Sequence, residues 1–125
     1  STWNVQPLQY ALAVGIEDGD GKLSGGIMFT NYNGSDAEVH FLGPGFLKRR
    51  VVRAIFSIAV TVLNLNRLTV HTRKEGMSRG VLKLGAVPEG TVRRLYGPTD
   101  DDHHAAKRYA FFRERMVELA GLKGD

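Results

Sequence analysis

The sequence predicts an α/β (α+β) domain built on a mixed, mostly antiparallel sheet with a strand–helix–strand crossover at its centre. Three observations carry that expectation. The first third is strand-patterned and punctuated by Asp/Gly and Asn/Gly turns, one long helical period follows Gly43-Pro44-Gly45, and a short strand pattern follows that helix directly. Hairpin-linked strands run antiparallel, whereas a strand–helix–strand passage normally joins parallel neighbours, so the two together call for a mixed sheet.

Residues 10–17 are rich in apolar side chains (Ala11, Leu12, Ala13, Val14, Ile16) and stop at Asp18-Gly19-Asp20-Gly21, a turn signal that makes 22–32 the return strand of a hairpin. Asn33-Gly34-Ser35-Asp36 is a second turn. Residues 37–42 then alternate, with Ala37, Val39 and Phe41 on one face and Glu38, His40 and Leu42 on the other. After Gly43-Pro44-Gly45 the period becomes helical over 46–63, and Val51, Val52, Ile55, Phe56, Ala59, Val62 and Leu63 share one face. Asn64-Leu65-Asn66 ends that helix, and 67–72 form a short strand with Leu68 and Val70 inward. Met77, Val81 and Leu84 recur at helical spacing, with Gly85 and Pro88 as the stop signal. Residues 91–96 read as a strand, 97–104 as a polar loop, 105–112 as a strand and 113–120 as a short terminal helix. No repeat or linker divides the chain, so 1–125 is expected to be one domain.

The chain has 125 residues, 42% hydrophobic and 24% charged, and no cysteine. That composition suits a soluble globular protein and excludes disulfides, a thiolate nucleophile and Cys-ligated zinc. It fits a reducing cytoplasm. Residues 1–9 hold no basic segment followed by an apolar run, so no secretory signal is expected there. The most apolar stretch, 51–65, is interrupted by Arg53, Ser57, Thr61 and Asn64 and is too short to span a bilayer. The net charge of +4 suits either a solvated basic surface or an anionic partner, nucleic acid or a phosphorylated small molecule.

The placement of that charge is informative. Lys48-Arg49-Arg50, followed by Arg53, stands in the first turns of the central helix, where unpaired amides already carry partial positive charge. Each cation there costs roughly 0.3–1 kcal/mol when exposed. An anion bound by the amides and the side chains offsets that cost, and Gly43 and Gly45 let the backbone approach it closely. A solvated basic face is the alternative. Adjacent His103-His104 after Asp100-Asp101-Asp102 lack the fixed spacing of a metal site and read as a solvated loop, so no metal is expected. Ser24-Gly25-Gly26 is a strand feature, because no helix follows it.

A strand ending in a glycine-containing loop, a long helix and a short strand resemble the acetyl-CoA-binding core of the GNAT superfamily of N-acetyltransferases. Val81-Leu82-Lys83-Leu84-Gly85-Ala86-Val87-Pro88-Glu89-Gly90 is similar to that family's next helix and its Leu-Gly-Phe ending, with Ala86 in place of Phe. Arg67-Leu68-Thr69-Val70 resembles the strand before that helix, and residues 109–114 resemble the last strand. The resemblance covers roughly 10–116 and looks closest to ribosomal-protein-type N-terminal acetyltransferases and phage-encoded versions. It implies acetyl-CoA as cofactor, an amine as acceptor, and a cofactor contact set of Phe41, Leu42, Leu47, Lys48, Arg49, Arg50, Val51, Val52 and Lys74.

The departures are as specific. The family's pyrophosphate loop, Gln/Arg-x-x-Gly-x-Gly/Ala, falls on Leu47-Lys48-Arg49-Arg50-Val51-Val52, with Arg50 and Val52 at its small positions. Its Asn falls at Lys74 and its frequent general-acid Tyr at Val81. The chain also looks N-terminally shortened, without most of the strand and helices that wall the acceptor site, and a partner subunit in a homodimer can supply that wall.

Glu38 and His40 share a strand face roughly 7 Å apart, where GNAT enzymes often place a base. They are the expected catalytic pair, Glu38 as base and His40 as base or orienter, and a polar outer sheet face is the alternative. Tyr32, Tyr96 and Tyr109 are candidate substitute acids or packed aromatics. Three function classes result: an acetyl-CoA-dependent N-acetyltransferase, a non-catalytic GNAT-fold CoA-binding or interaction protein, and a basic nucleic-acid module. The last lacks a stacking platform of aromatics.

Overall fold

The computed structural model of the chain describes residues 12–17, 20–42 and 48–122. The elements run β1 (Leu12–Glu17), β2 (Leu23–Thr30), β3 (Asp36–Leu42), α1 (Arg49–Thr61), β4 (Arg67–Thr72), α2 (Glu75–Lys83), β5 (Val87–Val92), β6 (Ala106–Phe112) and α3 (Arg113–Leu119). The six strands form one sheet in the order β1-β2-β3-β4-β6-β5. Only β3 and β4 are parallel; every other neighbouring pair is antiparallel. The mixed sheet and the central crossover are therefore as expected.

Alternation assigns the two faces of the sheet. Ile27, Phe29, Ala37, Val39, Leu68, Val70, Tyr109 and Phe111 are buried together with Val51, Val52, Ile55 and Phe56 of α1, Met77 and Val81 of α2, and Met116 of α3. The rings of Phe56 and Phe111 meet edge to face at 4.7 Å between centroids. All three helices thus share one face. The opposite face carries Glu38, His40, Arg67, Thr69, His71 and Arg108, and among the described residues no helix covers it. No described helix is long and apolar enough to cross a membrane.

Two boundaries differ from expectation, each for a local reason. Helix α1 ends at Thr61, leaving Val62 as its cap and 65% exposed, while Val60, one turn after Phe56, is buried. The expected apolar face 51–63 therefore closes on Val60 in place of Val62, and Leu63 is half-buried against the core. The strand expected at 91–96 lies at Val87–Val92. Gly85 alone stops α2, at a φ of 98° that suits glycine. Pro88 belongs to β5, an edge strand where a missing N–H is tolerated. A bulge in β5 between Pro88 and Gly90 turns Glu89 onto the helix-free face, where it pairs with Arg67 and, at 3.5 Å, with Arg108.

Candidate active site

The parallel pair organises the site. β3 and β4 are laddered from Asp36↔Arg67 to Glu38↔Thr69 and no further. β3 nevertheless stays paired to β2 as far as Leu42, and β4 to β6 as far as Thr72. Beyond Glu38 and Thr69 the two strands part, and the fork opens toward their C-terminal ends. Because they are parallel, α1 and α2 both start from that end. In an open α/β sheet this is the position where ligands bind.

On the helix-free face, Glu38 stands at the last rung before the fork. Its Oε1 is in hydrogen-bond contact with His71 Nδ1. Its Oε2 accepts from the Asn31 amide at 3.2 Å and lies 3.8 Å from His40 Nε2. An ionised carboxylate only accepts, so the His71 contact requires the Nδ1–H tautomer. His40 Nε2 also meets the Thr30 hydroxyl at 2.7 Å. The expected pair, Glu38 and His40, is thus brought together with side chains in closer reach than the strand spacing implied.

Of the candidate tyrosines, Tyr96 is the one that joins this cluster. Its hydroxyl donates to the His71 carbonyl at 3.4 Å, and Arg73 lies over its ring at 5.2 Å. Burial, and then the nearby Glu38 charge, push the phenol's pKa up, with Arg73 opposing in part. The phenol therefore keeps its proton. Tyr32 instead donates to the Leu63 carbonyl, and Tyr109 is buried in the core. Val81, where the resemblance places the family's tyrosine, is 2% exposed and faces away from the cluster. His71, Asn31 and Arg73 escaped the sequence reading. The available signal was parity, since His71 falls on the outward positions of 67–72 as Glu38 does on those of 37–42.

The basic cluster lies at the start of α1. Lys48 is the N-cap without a side-chain cap bond, and no acid stands in the first turn. The first hydrogen bond that helix geometry supplies here is Val52 N–H to the Lys48 carbonyl, so the amides of Arg49, Arg50 and Val51 precede it. Lys48, Arg49, Arg50 and Arg53 are exposed. A cleft of about 610 Å³ opens beside them, lined by Arg49, Arg50, Arg53, Leu84, Glu118 and Gly121 among others. Glu118 is paired with Arg115 at 3.5 Å, and Arg50 donates to the Glu17 carbonyl at 3.3 Å.

Val51 and Val52 are buried core residues, and Phe41 is half-buried over a small apolar cavity with Val39, Val52 and Val70. Leu42 ends β3 opposite Gly26. Lys74 is exposed at the N-cap of α2, its N–H donating to Thr72 Oγ1 at 3.0 Å. Leu47, with the Gly43-Pro44-Gly45 turn, lies outside the described residues. Thr99 holds His104 through Nδ1 at 2.8 Å, and among the described residues no His/Asp/Glu group is disposed to hold a metal.

The sequence matches no family model and no curated protein. The fold does have solved counterparts. A spermidine N-acetyltransferase from Vibrio cholerae, in complex with CoA and spermine, superposes with a TM-score of 0.73 at 19% identity, over 86% of this chain and 69% of that one. A dodecameric structure of the Vibrio cholerae enzyme in an intermediate state gives 0.73 at 19% identity, over 86% and 68%. A chimera of that enzyme, SpeG, with hSSAT gives 0.73 at 19%, over 87% and 70%. This chain has a GNAT-like fold. At that identity the likeness concerns architecture, and the chemistry has to be argued from this chain's own residues.

Proposed function

We propose that the protein is an acetyl-CoA-dependent N-acetyltransferase acting on an amine, of a protein or a small molecule, with the fork between β3 and β4 as the site of transfer. The observation that carries this is the fork itself, with Glu38, His40 and His71 beside it and a cationic helix start leading from the same end of the parallel pair. The solved Vibrio cholerae enzyme with CoA and spermine supports the choice of cofactor and of an amine acceptor.

The residues present suit CoA. Its phosphates are anions, and Lys48, Arg49, Arg50 and the first-turn amides of α1 form an anion site whose internal repulsion a phosphate relieves. Lys74 stands at the start of the second helix that opens on the fork. Phe41 and Val52 floor the fork with apolar surface, Val51 contributes its first-turn amide, and Leu42 and Leu47 belong to the proposed contact set by their place in the sequence. Acetyl-CoA, when bound, supplies an acetyl group activated as a thioester.

The protein must then present a neutral amine. Glu38 is the charge on which removal of the amine's proton depends, and His40 orients that carboxylate from its second oxygen. Among the candidate tyrosines, Tyr96, kept protonated and standing against the His71 carbonyl, is the proposed hydroxyl donor. The open face leaves room for an acceptor, and a second copy of the chain is a candidate for walling it. We place this activity in the cytoplasm, as the cysteine-free composition suggests.

Titration with CoA is expected to raise the thermal midpoint, by the equivalent of about 2.7 kcal/mol at 100 times the dissociation constant. Acetyl-CoA with a panel of amines is expected to release free thiol. No binding at millimolar CoA contradicts the proposal. Tight binding with no transfer to any amine leads instead to the non-catalytic CoA-binding reading, which the buried Val81 favours.

A further inference from the structure

We propose that His71 Nε2 is the atom that takes the proton from the acceptor amine, with Glu38 as its positioning residue. This rests on the acetyltransferase reading above and adds to it the identity of the proton acceptor.

Four observations converge on His71. Its Nδ1 is committed to Glu38, so the ring's lone pair sits on Nε2. Nε2 has no hydrogen-bond partner among the described residues, and it is not a buried unpaired atom. It therefore reaches the surface, although the side chain as a whole is only 14% exposed. Glu38 is a poorer acceptor for an outside proton, because Oε1 holds His71 while Oε2 holds the Asn31 amide and lies beside His40. His40 has its Nε2 at the Thr30 hydroxyl.

The carboxylate of Glu38, from β3, is in contact with the His71 ring. The cations nearby are turned elsewhere. Arg108, its partner across β6, pairs with Glu89 at 3.5 Å. Arg73 donates to the His103 carbonyl at 3.1 Å and covers the Tyr96 ring. His40 from β3 and the neutral Tyr96 phenol stand in the same cluster, and Arg67 on this face is paired with Asp36 and Glu89.

The step balances simply. The amine arrives as an ammonium, one N–H bond breaks, and the proton moves to the Nε2 lone pair. The freed nitrogen lone pair forms the bond to the acetyl carbon as the carbon–sulfur bond breaks. One remaining nitrogen proton ends on the thiol sulfur, and the imidazolium returns its proton to water through Nε2. The Nδ1–H bond to Glu38 stays intact throughout, so the site resets without a tautomer change.

The test measures thiol release by the parent, His71→Ala and His71→Asn, with the CoA-induced midpoint shift confirming that each variant folds and binds. Both variants are expected to lose roughly 10²–10⁴-fold in rate. Added imidazole is expected to restore part of the His71→Ala rate, and across a series of substituted imidazoles the rescue should rise with basicity, which a structural role would not produce. A parent-like rate in His71→Ala overturns the inference and leaves the acetyltransferase reading standing. Loss in both variants without rescue by any imidazole also overturns it, because the ring is then a packing element. A parent inactive toward every amine overturns the acetyltransferase reading itself.

Discussion

On the helix-covered face of the sheet, Ile27, Phe29, Val39, Leu68, Val70 and Phe111 are each 3% exposed or less. On the other face, the side chains of Glu38, His40, Arg67, His71 and Arg108 keep between 14% and 40% of their surface. The same strands supply both sets through alternation. One face holds the domain together by apolar burial, and the other holds charged pairs that contribute little to stability at such exposure. Substitutions on the two faces should therefore separate stability from chemistry.

The largest effect is expected on the covered face. Phe111→Ala removes a buried ring that packs on Phe56 and should cost about 3–5 kcal/mol, read by urea unfolding. A cost below about 1 kcal/mol would mean that the core is not centred there. On the open face, Glu38→Gln keeps an acceptor for His71 but removes the charge. Turnover should fall by roughly 10²–10⁴-fold, with stability changed by less than about 1 kcal/mol and CoA affinity nearly unchanged. Equal losses of stability and rate in this variant would erase the distinction between the faces.

Smaller changes sharpen the comparison. Replacing Lys48, Arg49 and Arg50 together by Ala should weaken CoA binding by roughly 1.5–3 kcal/mol, the worth of a hydrogen bond to a charged group. The stability of the ligand-free protein should stay level or rise slightly, since the cations oppose the helix dipole. Calorimetry that finds parent-like affinity would assign the basic cluster another purpose.

The smallest effect concerns Glu89. The hydrogen bond from Arg67 holds its carboxyl below the ordinary carboxylate value, with burial opposing and the charges of Arg67 and Arg108 adding. A depressed folded pKa means that the stabilisation is present above the unfolded value and is lost as pH falls through the folded one. Glu89→Gln should thus cost about 0.2–1 kcal/mol at neutral pH, and the deficit relative to the parent should vanish on acidification. A deficit that persists at low pH would make the role of Glu89 steric.

Local pattern made the order of elements readable, because turns at Asn33-Gly34 and at Gly85, the alternation of 37–42 and the period of α1 each lie within a few residues. The basic start of α1 was readable for the same reason, since a helix dipole is a local field. Pro88 misled because a helix stop and an edge strand both accommodate proline. His71 was missed because its contact with Glu38 depends on the parallel register Glu38↔Thr69, which joins segments 33 positions apart. Glu89 is similar, since a bulge in β5 brings it to Arg67.

The most direct test of the fork as the acyl site is an amide NMR titration of the protein with CoA. The account predicts shifts concentrated at residues 39–42 of β3 and at Arg49, Arg50 and Val51 of α1, with β5 left unchanged. Shifts confined to β5 and the loop after it, or no shifts at saturating CoA, would contradict it.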